Sequence, residues 1–245
     1  MQAETLTYKP QGVDDTTDAK YRLALARTPR WVVNGEILSK IPESNLNHID
    51  GMAAIVNEIE ENFPALTKCF DLETVREMVY FHDAGEIITG DEAISNENYA
   101  KNKERRWERE RIAVGILTRE PNVSDPLLRK KLRDIYARYN SCRPERMIEL
   151  TDKESLFTHL VDKIQAGRFG LENVFGNHNS SIKATKLIAQ FSGLLFNALP
   201  QDNIDARNEL VLLTQQELNR FRDHGFIQQA DAAWKDFCDK TTTIV

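Results

Sequence analysis

Five side chains carry chemistry that the inside of a helical protein does not tolerate without partners: His48, His82, Asp83, Glu86 and Asp162. Continuing the apolar stripe Leu72, Val75, Val79 by helical steps leads to His82 and then Glu86, which places an imidazole and a carboxylate on the inward face. Asp83 lies about 100° round the helix from His82 and Glu86 about 40°, so all three can line one pocket. On the preceding helix, His48 shares a side with Met52, Ile55 and Ile59, and further along Asp162 sits between Val161 and Ile164. An ionised carboxylate or unpaired imidazole buried in a core costs several kcal/mol, which a bound cation can offset. A mixed imidazole and carboxylate set from three helices suits borderline divalent metals. Singly, each residue has a plainer reading as a satisfied core histidine or a solvated acid. His159, three positions before Asp162, is read as a helix-surface residue ahead of a partner to the site.

The elements that must position these groups read as helices. Glycine and proline are sparse, apolar residues recur at three- and four-residue spacing, and alternating strand-like runs are hard to find. Residues 1–18 read as a flexible arm, with a first helix over about 19–28. Ser44 or Asn45 can cap a helix striped by Ile49, Met52, Val56, Ile59 and Phe63. Asp71 can cap the next, which Gly90 ends. A charged helix is expected over 100–118, with Trp107, Val114 and Leu117 inward and its charges solvated, and another over 126–139. Thr151 with Glu154 makes a capping box for a helix over about 152–168. The stretch Gly167 to Ser181 reads as a loop before helices at about 181–198, 204–223 and 227–239. The expected fold is all-α, one helical unit over 19–245, with its metal-site core at about 20–168 and a C-terminal extension at about 181–239.

Composition narrows the function further. A formal net charge of -6 and a pI near 5.5 supply no broad cationic surface for nucleic acid polymers or anionic lipid. The three cysteines, Cys69, Cys142 and Cys238, are far apart, so neither a disulfide framework nor a cysteine zinc site is expected. No apolar run approaches the roughly 20 residues of a membrane span. A cytoplasmic location, with no membrane partner, is the expectation.

The order His48, His82-Asp83, Asp162 resembles the metal-binding signature of the HD-domain superfamily. The run His82-Asp83-Ala84-Gly85-Glu86-Ile87-Ile88-Thr89-Gly90-Asp91 resembles the corresponding segment of its 5'-deoxynucleotidase branch, and Arg30-Trp31 stand where that branch carries an Arg-Trp pair. The resemblance covers roughly residues 20–168. It implies an HD-type helical bundle with one divalent metal, such as manganese, cobalt, iron, zinc or nickel, held by His48, His82, Asp83 and Asp162. It also implies hydrolysis of nucleoside 5'-monophosphates, deoxy preferred, and a possible homodimer. By the same resemblance Glu86 orients water or acts as general acid/base, Arg30 holds the phosphate, Trp31 closes the sugar side, and Asp91 contacts the nucleotide or assists catalysis. Asn47 departs from the family, which usually has glutamate just before its first metal histidine.

Four rival readings stand beside this one. They are a hydrolase of an alarmone or nucleoside triphosphate, a diiron oxygenase, a catalytically silent nucleotide-binding regulator, and a purely structural helical protein, which would leave the inward-facing His82 and Glu86 unexplained. Only His159 lies between the His-Asp pair and the last aspartate, whereas a dinuclear centre needs additional histidines there, so a single metal is favoured.

Overall fold

The computed structural model describes residues 8–33, 36–37, 39–91, 99–119, 122–141, 152–174 and 178–241. Its helices are α1 (Asp15–Ala26), α2 (Asn45–Asn62), α3 (Pro64–Thr67), α4 (Leu72–Phe81), α5 (Glu86–Thr89), α6 (Tyr99–Leu117), α7 (Pro126–Ser141), α8 (Lys153–Asn173), α9 (His178–Ala198), α10 (Ile204–Asp223) and α11 (Ile227–Thr241). The one sheet among the described residues is a ribbon of two short strands, β1 (Val32–Val33) against β2 (Glu36–Ile37). The fold is all-α in class.

Capping explains where the site helices begin. Ser44 accepts from the Asn47 amide while the Asn47 side chain accepts from the Ser44 amide, a reciprocal box that starts α2 just before His48. Asn47 therefore serves the helix end. Asp71 accepts from the Glu73 and Thr74 amides to start α4. For α8 the cap is Asp152, which accepts from the Ser155 amide. The expected box is half wrong, because Glu154 is turned toward the Asp71 amide and Arg138 instead; Thr151 lies outside the described residues.

Two boundaries differ from expectation for reasons of packing. Residues 8–18 are no free arm: α1 starts at Asp15 on an Asp14 cap, Val13 is buried, and the Tyr8 hydroxyl donates to Glu73. The expected loop from Gly167 is helical through Asn173. Gly167 is there for closeness, since a Cβ would stand 2.9 Å from Phe221 Cζ of α10. The helix-breaking tendency of glycine is overridden by tertiary contact.

The main core joins α2, α4 and α8 with α9, α10 and α11, through Met52, Ile59, Leu160, Ile164, Ile188, Leu210 and Phe237. A second cluster of Met78, Tyr80, Phe81 and Ala84 against Leu128, Leu132, Ile135 and Tyr139 seats α7 on the other side of α4. The segment from α4 to α5 is thus held from both sides. Burial at roughly 25 cal/mol per Å² of apolar surface makes these two clusters the principal force fixing it.

Candidate metal centre

His48 and His82 come from adjacent helices and are almost wholly enclosed, 0% and 4% exposed. His82 is not in the helix proper: it is the C-cap of α4, and residues 82–88 continue in tightened turns with amide bonds such as Ala84 to Phe81 O and Glu86 to Asp83 O. The uninterrupted helix expected up to Gly90 is therefore broken at the site itself. Gly85 lets this turn press on α6, where a Cβ would stand 2.8 Å from Glu110 Cβ. Gly90, at φ +76°, ends α5 as expected.

One ring nitrogen each of His48 and His82 and a carboxylate oxygen of Asp162 all lie within 4.8 Å of one another. His48 Nε2 is 3.4 Å from Asp162 Oδ1 and 3.7 Å from Asp83 Oδ2, and His82 Nε2 is 3.1 Å from Asp83 Oδ2. Neither Nε2 has a hydrogen-bond partner. Both Nδ1 atoms do: His48 Nδ1 meets Gln165 Oε1 at 2.5 Å, and His82 Nδ1 meets Val79 O at 3.0 Å. An acceptor on each Nδ1 turns the Nε2 of both rings to the space shared with Asp162. Two buried imidazole nitrogens facing carboxylates fit a divalent cation. Asp83 stands slightly aside from this trio, its Oδ2 accepting from Arg30 Nη1 at 2.8 Å.

Electrostatics agree with the geometry. Burial opposes ionisation of Asp83, but the His82, Arg30 and His48 side chains outweigh it and hold the carboxyl well below the usual range. Asp162 is likewise held low against burial, chiefly by Lys163, whose Nζ is 2.5 Å from Oδ2, and then by His48. Glu86 goes the other way: burial, then the charges of Asp83 and Asp91, push its carboxyl well above the ordinary value. Asn45 donates to Glu86 Oε2 at 3.0 Å. Burial works against the Arg30 cation, yet Asp91, Asp83, Glu86 and Glu43 keep it protonated.

The other expected residues lie beside this trio. The Trp31 amide donates to Asp91 Oδ2 at 3.0 Å, its indole N–H donates to Glu43 Oε2 at 2.5 Å, and its ring stacks on Phe169 of α8. Trp31 has φ +61°, a conformation that bulky residues rarely adopt and that these bonds must hold. His159 is not on the surface: it is 4% exposed, stacked between Tyr139 and Phe191, with Nε2 on Tyr139 O.

Glu43, Lys163 and Gln165 belong to the surroundings of the site and were not singled out in sequence, and Asn45 was read there only as a candidate cap. The charge run of α6 is likewise not all solvated, because Arg106 and Glu110 are buried and paired at 3.0 Å. Glu110 adds to the negative field on Glu86. The only sequence signal was helical spacing, since Arg106, Glu110 and Ala113 share one face with Val114.

The family model of the HD domain matches residues 24–192, well over half of the chain. The chain belongs to the HD-domain family, whose members are typically metal-dependent phosphohydrolases. No curated protein and no solved structure matches it. Among the described residues no helix is long and apolar enough to cross a membrane.

Proposed function

We propose that this chain is a phosphomonoesterase that hydrolyses nucleoside 5'-monophosphates, with deoxynucleotides preferred, using one divalent metal held by His48, His82, Asp83 and Asp162. The observation that carries the reading is the pair of buried, partnerless Nε2 atoms converging with Asp162. A divalent cation bound there supplies charge neutralisation to phosphoryl oxygens and lowers the pKa of water towards neutrality.

The protein's own groups take the remaining roles. Arg30, kept charged and already bonded to Asp83, offers its fork of donors to the phosphate beside the metal. Lys163 adds a second cation at the Asp162 edge. Glu86, whose carboxyl is pushed above its ordinary value by burial and the charges of Asp83 and Asp91, is the general acid that would give a proton to the leaving 5'-oxygen as water attacks phosphorus, yielding nucleoside and phosphate. Trp31 closes the sugar side, where bulk against a 2'-hydroxyl favours the deoxy substrate, and Asp91 holds Trp31 in place or meets the nucleotide itself.

The test is to strip the protein of metal, restore manganese, cobalt, zinc, iron or nickel singly, and assay phosphate release from ribo- and deoxynucleoside monophosphates. Metal-dependent release that Asp83→Ala abolishes is the expected result. Nucleotide binding with no metal-dependent release would identify a silent regulator. Release from triphosphates or alarmones alone would replace the substrate.

A further inference from the structure

One carboxylate outside the ligand set connects both halves of the site. Glu43, 3% exposed, lies in the segment leading into α2. Its Oε2 accepts from the Trp31 indole and lies 3.6 Å from Arg30 Nε, while its Oε1 accepts from Gln165 Nε2 at 2.7 Å. The opposite end of the same amide, Gln165 Oε1, is the atom on His48 Nδ1. An amide has one donating end and one accepting end, whereas an ionised carboxylate only accepts. Glu43 therefore dictates that Gln165 turns its NH2 outward and its oxygen to the imidazole. That oxygen fixes the His48 proton on Nδ1 and leaves Nε2 free to ligate.

Gly51 supports this from an independent direction. It stands three residues after His48 on α2, and a Cβ there would be 3.1 Å from both Cγ and Nε2 of Gln165. A glycine inside a helix costs roughly 0.5–1 kcal/mol relative to alanine. The room it leaves is filled by the Gln165 side chain.

We infer that Gln165 is a positioning residue for His48, oriented by Glu43 and admitted by Gly51, and that this relay joins Trp31 and Arg30 to the metal centre. The inference rests on the metal reading above and adds to it residues that touch neither metal nor substrate.

The experiment titrates metal-stripped protein with cobalt or manganese alone, following the visible cobalt absorption and competition with a chromogenic chelator. Gln165→Leu removes the acceptor at similar volume and is expected to weaken metal binding about 10- to 100-fold. Gly51→Ala alters no polar group and favours the helix, yet by displacing the amide it is expected to weaken metal binding severalfold and to shift the cobalt spectrum. The melting temperature of the metal-free Gly51→Ala protein should stay level or rise, which separates positioning from loss of fold if Gln165→Leu proves unstable. Glu43→Gln faces a donor with a donor at Trp31 or at Gln165, so it should weaken metal binding and raise the KM for nucleotide together. If a folded Gly51→Ala or Gln165→Leu protein binds cobalt with the native affinity and spectrum, the relay is overturned while the metal reading stands. If the unmodified protein binds neither metal, both fall.

Discussion

The backbone amide of Trp31 is held by the carboxylate of Asp91 at 3.0 Å, sixty residues along the chain, and Trp31 is the only non-glycine residue with positive φ among those described. The bond reaches from the mouth of α5 to the loop that carries Arg30, so Asp91 sets the position of two groups expected to meet the nucleotide. Asp91→Ala should lower kcat/KM by on the order of 100-fold, the scale of a misplacement near 1 Å. Asp91→Asn keeps an acceptor for the amide and should retain most activity. Steady-state kinetics decide the matter: equal damage from both substitutions would give the Asp91 charge itself a part in the reaction.

Metal binding should appear as stability. The two partnerless imidazole nitrogens are a cost that a cation removes, so manganese at 100 times its Kd should add about 2.7 kcal/mol. For a chain of this size that is a rise of about 5–10 °C in Tm. Scanning fluorimetry with and without metal is the measurement, and His48→Ala should show no rise.

The Arg106–Glu110 pair is buried where Tyr136 also donates to Glu110 at 3.3 Å. Arg106→Met takes the cation from a buried carboxylate and should cost about 3–5 kcal/mol. The double substitution Arg106→Met with Glu110→Met should recover much of that loss. Urea unfolding of the three proteins measures it, and equal instability of single and double variants would refute the account.

Asp71 links helix capping to pH. Its carboxyl is held below the ordinary value, first by the Thr74 hydroxyl and then by the Thr74 amide. A carboxyl with a depressed folded-state pKa contributes stability that is present above its unfolded value and lost as pH falls through the folded one. Asp71→Ala should therefore cost about 1 kcal/mol at pH 7, and the gap from the unmodified protein should narrow as the pH is lowered below about 4. Chemical denaturation at both ends of that range checks the sign.

The sequence displayed what depends on local chemistry. The cap Asp71, the cap of α2 as Ser44 or Asn45, the stripes of α2 and α4, and the gathering of His48, His82 and Asp162 were legible, because spacing on a helix determines which side chains share a face. Hidden were the features that depend on a distant partner. Gly167 reads as a break unless Phe221 is known to lie against it, and His159 reads as surface unless Tyr139 and Phe191 are known to enclose it. Glu43 sits outside any helix, so periodicity says nothing about it, and its link to Gln165 spans 122 positions. Arg106 and Glu110 were concealed by the charges around them.

The extra length of α8 has a mechanical meaning. From Asp162 to Asn173 the helix runs eleven residues, about 16 Å at 1.5 Å per residue. Its far end grips the segment beyond the ribbon: Lys40 N–H donates to Asn173 O, Ser39 bridges to Val174, and Phe169 carries the Trp31 ring. The same rod thus bears Asp162, the proposed metal ligand, near its middle and holds the segment that carries Trp31 at its tip. If Trp31 meets the nucleotide as proposed, changes at the tip would act on selectivity while the distance along the rod insulates the proposed metal centre from them, so selectivity and chemistry could drift apart within one helix.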